Sequence, residues 1–190
     1  GRRSPRNPPS PPTMAATVFD DPEGFWHVRK AMNWPYGLCE GSFYQTDDGI
    51  LHMLLRMSRP SPDILPRLWV TESADDGKTW SAPTQTDFTD NDTKFHLGRL
   101  PDGRFYHVGN PDPQPPYERK RLVLSLSEDG MKFDAHHLLA DEQYTMKQAG
   151  RSKHGQYGYP HTLIHEEWLY VIVSRCKEAV EVIRTRIANI

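Results

Sequence analysis

Glu40 and Arg56 are the first pair of residues whose types and spacing could do chemistry. Arg56 comes sixteen residues after Glu40, across a predicted hairpin, and it ends the apolar run HMLLRM. A buried arginine without a partner is costly, so Arg56 needs an anion, and either Glu40 or a bound ligand could supply it. The pair therefore indicates an internal ion pair or a site that binds an anionic group.

Further candidates lie later in the chain. Arg119 belongs to the charged run ERKR, which is typical of a solvated surface, and Tyr159 follows Tyr157, so an ordinary structural aromatic is the alternative to a functional phenol. Three histidines fall on predicted strands: His96, His107 and His161. No H-E-x-x-H motif and no Cys/His spacing of a metal site is present, so we expect neither a metal nor another cofactor.

Short strands joined by tight turns must position these residues. Glycines mark the turns at Gly49, Gly77, Gly103 and Gly130. Gly49 and Gly103 are 54 residues apart, and Gly77 and Gly130 are 53 apart, so two independent markers share one period. A repeat of roughly 50 residues with four short strands is typical of a β-propeller blade, although a β-sandwich also has recurring strands and turns. The repeat predicts an all-β propeller of four-stranded antiparallel blades, of which the chain contains about three.

The stretch TESADDGKTWSAP, residues 71–83, has the pattern S-x-D-x-G-x-x-W. In such a turn an aspartate can accept backbone hydrogen bonds, glycine supplies a positive φ, and tryptophan packs beneath the hairpin. SEDGMKF, residues 127–133, is a shorter copy with Phe133 in place of the tryptophan. We therefore expect a folding device, and no catalytic role for Asp75 or Asp76.

Composition excludes several classes of function. Lys and Arg total 23 against 25 Asp and Glu, which gives a formal net charge of -2, so no nucleic-acid partner is expected. No apolar run is long enough for a membrane-spanning helix. The two cysteines, Cys39 and Cys176, are too few for a disulfide framework. The start of the sequence has no apolar segment of a signal peptide, and the localisation stays open.

Three segments resemble the Asp-box (bacterial neuraminidase repeat) sialidases. CEGSFYQTDDGILHMLLRM is similar to the family segment in which a glutamate opens one strand and an arginine ends the next, here Glu40 and Arg56. GNPDPQPPYERKRLVLSLSEDG is similar to the segment in which an arginine enters a strand before an Asp box, and Arg119 matches it better than Arg121. YGYPHTLIHEEWLYVIVS is similar to the segment that presents a tyrosine, here Tyr159.

The resemblance implies an exo-acting glycoside hydrolase for an anionic terminal sugar. A sialic acid carries a carboxylate on its anomeric carbon, and sialidases use a tyrosine nucleophile instead of a second carboxylate. Tyr159 would be that nucleophile and Glu40 the base that activates it. Arg56 and Arg119 would bind the substrate carboxylate, and His161 is a further substrate-binding candidate.

The resemblance covers roughly residues 37 to 190 and departs from the family in several places. The family's first arginine and its acid/base aspartate come from blades that precede Glu40, and nothing before Glu40 supplies them convincingly. Residues 1–16, rich in proline, are predicted to be an irregular tail, and residues 17–190 the C-terminal part of a propeller. Missing N-terminal blades or another chain would then complete the ring. The connection between Arg119 and Tyr159 is longer than a plain blade needs.

Two other functions fit the same residues. A polysaccharide lyase acting on uronate glycans would use arginine to neutralise the uronate carboxylate, with Tyr159 or His161 as base or acid. A non-catalytic propeller that only binds glycan or protein would suit the missing aspartate. A fold of this kind does not decide among the three functions.

Overall fold

The computed structural model describes residues 37–58, 66–112, 119–151, 153 and 155–190, which form three antiparallel β-sheets. The first sheet contains β1 (Leu38–Gln45), β2 (Leu51–Met57), β3 (Arg67–Ser73) and β4 (Thr84–Thr89). The second contains β5 (His96–Arg99), β6 (Phe105–Gly109), β7 (Leu122–Ser127) and β8 (Ala135–Ala140). The third contains β9 (Gly158–His165), β10 (Trp168–Arg175) and β11 (Ala179–Arg186), followed by the short 3-10 turn Ile187–Asn189.

The predicted all-β class and the four-stranded antiparallel sheets are confirmed for the first two sheets, whose strands pair in chain order. The third sheet has three strands among the described residues. The number of blades and the closure of a ring stay predictions, and the predicted tail, residues 1–16, lies outside the described residues. Within the described part of the chain, no helix is long and apolar enough to cross a membrane.

The Asp-box turn between β3 and β4 is held by side-chain hydrogen bonds. Asp75 Oδ1 accepts hydrogen bonds from Thr79 N and Ser73 Oγ, both at 2.8 Å. These bonds, with one from the Thr79 hydroxyl, lower the pKa of Asp75 to about 2. Gly77 has a φ of +79°, and the buried Trp80 donates from Nε1 to the Gly77 carbonyl at 3.0 Å. The side chains of Ser73, Asp75 and Trp80 all make hydrogen bonds within the turn, as expected for a folding device.

The shorter copy between β7 and β8 folds in the same way. Ser127 Oγ donates to Asp129 Oδ1 at 2.9 Å and accepts from Gly130 N at 2.9 Å. Phe133 is buried where the first copy has its tryptophan. An aromatic ring under each hairpin therefore anchors the outer strand to the core.

The second sheet lies between the other two, so it is buried on both faces. Every residue of β7 is buried. The core shared with the third sheet includes Leu122, Leu124, Leu169 and Val171, and the core shared with the first sheet includes Leu54, Leu68, Phe95 and Phe105. Each fully buried side chain of this kind stabilises the fold by about 1.5–3 kcal/mol relative to exposure. In β11 half-buried and exposed residues alternate, because the third sheet is covered on one face.

The first strands of the three sheets lie side by side. Leu97 N in β5 donates to Ser42 Oγ in β1 at 3.4 Å. On the other side of β5, His96 Nδ1 lies 2.6 Å from Thr162 Oγ1 in β9. Sheets arranged radially around a common axis bring their first strands together in this way. The residues at the starts of β1, β5 and β9 are therefore brought to one edge, which we call the site edge.

Candidate functional site

Glu40 and Tyr159 occupy matching β-bulges on the first strands of the first and third sheets. Glu40 and the residue after it lie opposite Leu55 alone, and Tyr159 and the residue after it lie opposite Val173 alone. A bulge turns a side chain away from the regular pleat and often does so next to a functional site. Two residues more than a hundred positions apart are thus presented by the same local device at the site edge.

Arg56 reaches this edge because it lies one residue before the end of β2, where the antiparallel register pairs it with Cys39. Its Nη1 donates to Glu40 Oε2 at 2.5 Å. The arginine side chain is 12% exposed and the glutamate side chain 30% exposed. The ion pair that the sequence predicted as one of two possibilities is therefore formed, and it is shielded enough to be stronger than a surface pair.

Asp92 is the partner that sequence reasoning missed. Its Oδ1 accepts from Arg56 Nε at 2.9 Å and lies 2.7 Å from Arg56 Nη2. Burial lowers the pKa of the Arg56 guanidinium, but Asp92 and Glu40 outweigh burial and raise it overall. Arg56 therefore stays charged between two carboxylates.

Arg119 meets the same turn from the other side. Its Nη2 donates to the carbonyl oxygen of Asp92 at 2.8 Å, and its backbone amide donates to Asn91 Oδ1 at 3.3 Å. The side chain runs over Gly155 and Gly158, where a Cβ at either position would lie within 3.2 Å of it. Burial and the neighbouring Arg56 lower the pKa of Arg119, while Asp92 and Tyr159 oppose the change.

Of the two arginines that the sequence left in competition, only one reaches this cluster. Arg119 lies against Asp92, whereas Arg121 is exposed and lines a groove with Phe88 and His136. Glycine at 155 and 158 leaves the space that the Arg119 side chain fills.

Tyr159 is 45% exposed and interacts electrostatically with Arg119, and Lys177 Nζ lies 5.9 Å from the centre of its ring. Among the described residues, it makes no hydrogen bond to Glu40, whose carboxylate is held by Arg56. Tyr157, by contrast, is fully buried, and its hydroxyl donates to the Glu142 carbonyl at 3.0 Å. Of the two tyrosines, Tyr159 is the one whose phenol is open to a ligand.

The three predicted histidines have different surroundings. His161 is exposed on β9, and its ring centre lies 4.3 Å from that of His96 on β5. Burial, with a smaller effect of His161, lowers the pKa of His96 to about 4. His107 is 1% exposed and packs against Phe95, and burial lowers its pKa to about 3. His107 is therefore a neutral core residue, while His96 and His161 face each other between the first strands.

Four of the eight described residues other than glycine that have positive φ lie at the site edge. Glu40, Asp92, Arg119 and Tyr159 have φ values of +49°, +47°, +53° and +55°. Residues other than glycine in this region cost about 1–3 kcal/mol each and persist where the surrounding structure imposes them, commonly at functional sites. Four strained residues in one cluster indicate a site that is held at some expense in stability. Within the described part of the chain, no group of His, Cys, Asp and Glu is placed to hold a metal ion.

The family profile described as a BNR repeat-like domain matches residues 10–171. The chain belongs to this family. No curated protein matches the chain.

Solved structures share the fold of this BNR repeat-like domain. A Dyadobacter fermentans protein of unknown function is 16% identical with a TM-score of 0.52, over 78% of this chain and 37% of its own. The Fusarium graminearum α-L-arabinofuranosidase is 15% identical with a TM-score of 0.52, over 77% of this chain and 44% of its own. The Penicillium chrysogenum α-L-arabinanase is 18% identical with a TM-score of 0.51, over 77% of this chain and 45% of its own. The chain spans less than half the length of each of the three, and at these identities the likeness shows the fold alone.

Asp90 lies beneath the cluster of this BNR repeat-like domain. It is 2% exposed; its Oδ2 accepts from Thr93 N at 3.1 Å, and its Oδ1 has no hydrogen-bond partner among the described residues. Burial raises the pKa of Asp90 to about 7, against the opposing effects of the Thr93 amide and Arg56. Asp90 was not singled out from the sequence, because an aspartate in the polar run TDNDT reads as an ordinary loop residue.

Asp90→Asn should change how stability depends on pH. The unfolded carboxyl loses its proton near pH 3.8 and the folded one near pH 7, so the stability that Asp90 contributes is full below about pH 4 and is lost as the pH rises through 7. The stability of the variant relative to the wild type should be greater at pH 8 than at pH 4.5 by about 3 kcal/mol. Urea unfolding of both proteins at these two pH values measures the difference.

Two histidines with lowered pKa values also make stability depend on pH. His96 and His107 make stability fall as the pH drops below about 6.5, but they do so in both proteins, so their effect cancels in the difference. A difference between variant and wild type that is the same at both pH values would contradict the assignment.

Proposed function

We propose that this domain is part of a sialidase-type propeller that hydrolyses a terminal anionic sugar. The observation that carries the proposal is the convergence of Glu40, Arg56, Arg119 and Tyr159 at one edge, where the exposed Tyr159 interacts electrostatically with Arg119. The solved structures of similar fold include an α-L-arabinofuranosidase and an α-L-arabinanase, which supports carbohydrate as the substrate class.

Tyr159 is the proposed nucleophile and Arg119 the proposed receptor of the substrate carboxylate. A neutral phenol can approach an anomeric carbon that carries a carboxylate, whereas an aspartate or glutamate would meet like charge. Arg119 offers a planar, charged fork next to that phenol. Its contacts to Asp92 and Asn91 leave Nε and Nη1 without a hydrogen bond to any described residue, so these two donors can serve a ligand.

Glu40 is the proposed base that takes the proton from Tyr159. Its carboxylate is bound to Arg56 and makes no hydrogen bond to the phenol. Catalytic hydrogen bonds are often long or absent before the substrate binds and tighten only in the complex. Arg56 in this scheme holds the base in place at the bulge. His161, exposed on the same strand as Tyr159, is proposed to contact the sugar.

The proposed enzyme needs more than the described sheets. We propose that further blades, from the same polypeptide or another one, complete the ring and supply the first arginine and the acid/base aspartate. The fact that the chain spans less than half of each of the three compared structures supports this.

Tyr159→Phe tests the proposal. With a fluorogenic α-sialoside, kcat should fall by about three orders of magnitude, because phenylalanine keeps the ring and removes the attacking oxygen. Tyr170→Phe, in the same sheet, should keep full activity, and both variants should keep the wild-type thermal midpoint. Absence of turnover by the complete protein, or equal turnover by Tyr159→Phe, would refute the sialidase assignment.

A uronate lyase is the second candidate, and the pair of histidines favours it. His161 is exposed, and its ring lies tilted against that of His96, whose lowered pKa keeps it neutral, so His161 could accept a proton in β-elimination. Ultraviolet absorbance of an unsaturated product from a uronate glycan, lost in His161→Gln and kept in His165→Gln on the same strand, would support the lyase instead.

A further inference from the structure

The turn of residues 90–93, between β4 and β5, makes hydrogen bonds to several chain segments that meet at the site edge. Asn91 N donates to the carbonyl oxygen of Asn110 at 2.8 Å, and the Asn91 side chain accepts from the backbone of Arg119. The Asp92 carbonyl accepts from Arg119 Nη2, and the Asp92 carboxylate accepts from Arg56. The turn therefore touches both arginines of the site, one through its backbone and the other through its charge.

The Arg56 fork is filled by internal carboxylates. Nη1 faces Glu40, while Nε and Nη2 both face Asp92, and the arginine side chain is only 12% exposed. This is the contact that a ligand carboxylate would make with a free guanidinium. The charges of the two carboxylates and the two arginines cancel, so little attraction is left at Arg56 for a further anion.

We propose that Asp92 is a specificity-determining residue that occupies the Arg56 fork and leaves Arg119 as the anion receptor of the site. The proposal rests on the proposed function only in placing the ligand at this edge. It replaces the expectation that Arg56 and Arg119 share the substrate carboxylate. A site of this kind takes sugars with one carboxylate and accepts a second anionic group poorly.

Asp92→Asn is the variant that tests this. Asparagine tolerates positive φ about as well as aspartate and keeps an acceptor oxygen for Arg56, so the backbone of the turn is preserved while one negative charge is removed. The charge of Arg56 is then only partly balanced. Calorimetric titration with glucuronate should show about five- to tenfold tighter binding than in the wild type, while the weak binding of neutral glucose stays unchanged.

Asp134→Asn is the matched control, because it removes the same charge from an exposed residue paired with Lys132 at the opposite end of the second sheet. It should bind glucuronate as the wild type does. Unchanged or weaker binding of glucuronate by Asp92→Asn, or no measurable binding by either protein, would overturn the proposal.

A second variant covers the case in which Asp92→Asn folds poorly. Arg119→Gln in the wild-type background should remove nearly all glucuronate binding, since one guanidinium receives the anion; substantial residual binding would show that Arg56 also takes part and would contradict the proposal. Because both titrations measure binding without turnover, a failure of the glycosidase assignment leaves their outcome intact.

Discussion

Replacing Arg56 with methionine should lower the free energy of unfolding by about 3 kcal/mol. Methionine keeps most of the apolar stem that packs at the end of β2, but it removes the cation between Glu40 and Asp92, which lie on either side of it. Two partly buried carboxylates are then left side by side, each without its ion-pair partner. Urea unfolding at neutral pH measures the loss.

Two controls separate this effect from the loss of any arginine. Arg67 forms an ion pair with the fully exposed Asp87, with 3.1 Å between Arg67 Nη1 and Asp87 Oδ1. Arg67→Met removes this pair and should lower the free energy of unfolding by less than about 1 kcal/mol. The double variant Arg56→Met, Asp92→Asn relieves the repulsion between the carboxylates and should recover part of the loss, so the two changes should not be additive. A loss at Arg56 as small as that at Arg67 would show that the cluster contributes no more than a surface ion pair.

Arg175→Met should lower the free energy of unfolding by about 3–5 kcal/mol. Arg175 is 2% exposed and donates to the carbonyl oxygens of Glu142 and Gln156 at 2.6 and 3.1 Å. It also pairs with Glu181 and covers the Tyr157 ring, with the guanidinium carbon 4.1 Å from the ring centre. Without it, two carbonyl groups and one carboxylate lose their donor, and a native protein has only about 5–15 kcal/mol to lose.

Limited proteolysis should show which segment of the Arg175→Met variant is destabilised. Because Arg175 ties residues 141–157 to β10, the variant should be cleaved faster by trypsin at Lys147 and Arg151 than the wild type under native conditions. Arg184→Met, which removes an exposed arginine stacked 4.4 Å from the Trp168 ring, should cost at most about 1 kcal/mol and leave the cleavage rate unchanged. A global loss of stability without faster cleavage in this segment would contradict the role given to Arg175.

Arg175 also accounts for the long connection that the sequence showed between Arg119 and Tyr159. The described residues between 141 and 157 form no strand. They are held by Arg175 and by Glu178, whose carboxylate accepts from the backbone amides of residues 147 and 148. These polar anchors bring the chain back to the site edge at Tyr159. The extra length is thus a tethered segment, and sequence patterns of strands and turns carry no signal for such tethers.

The features that the sequence predicted correctly depend on residues close together in the chain. Each of the four turns has a glycine at positive φ and an acceptor aspartate one or two residues before it. Gly77 and Asp75 therefore specify their hairpin without help from the rest of the protein. The pairing of Glu40 with Arg56 is of the same kind, since one hairpin places them on adjacent strands. These repeated turns predicted the family of the domain, and the profile match confirms that family.

The contents of the site were decided by tertiary structure. Asp92 contacts Arg56, 36 residues away in the chain, and Arg119, 27 residues away, because one sheet packs on the next. An aspartate in a polar loop has no local sequence pattern that indicates such partners. The choice between Arg119 and Arg121 likewise depends on Gly155 and Gly158, which leave room for one side chain on a different sheet. Turn geometry is settled by neighbours in the chain, whereas the partner of a shielded charge is settled by which surfaces pack together, and that is why the sequence alone determined the hairpins and the three-dimensional fold determined the site.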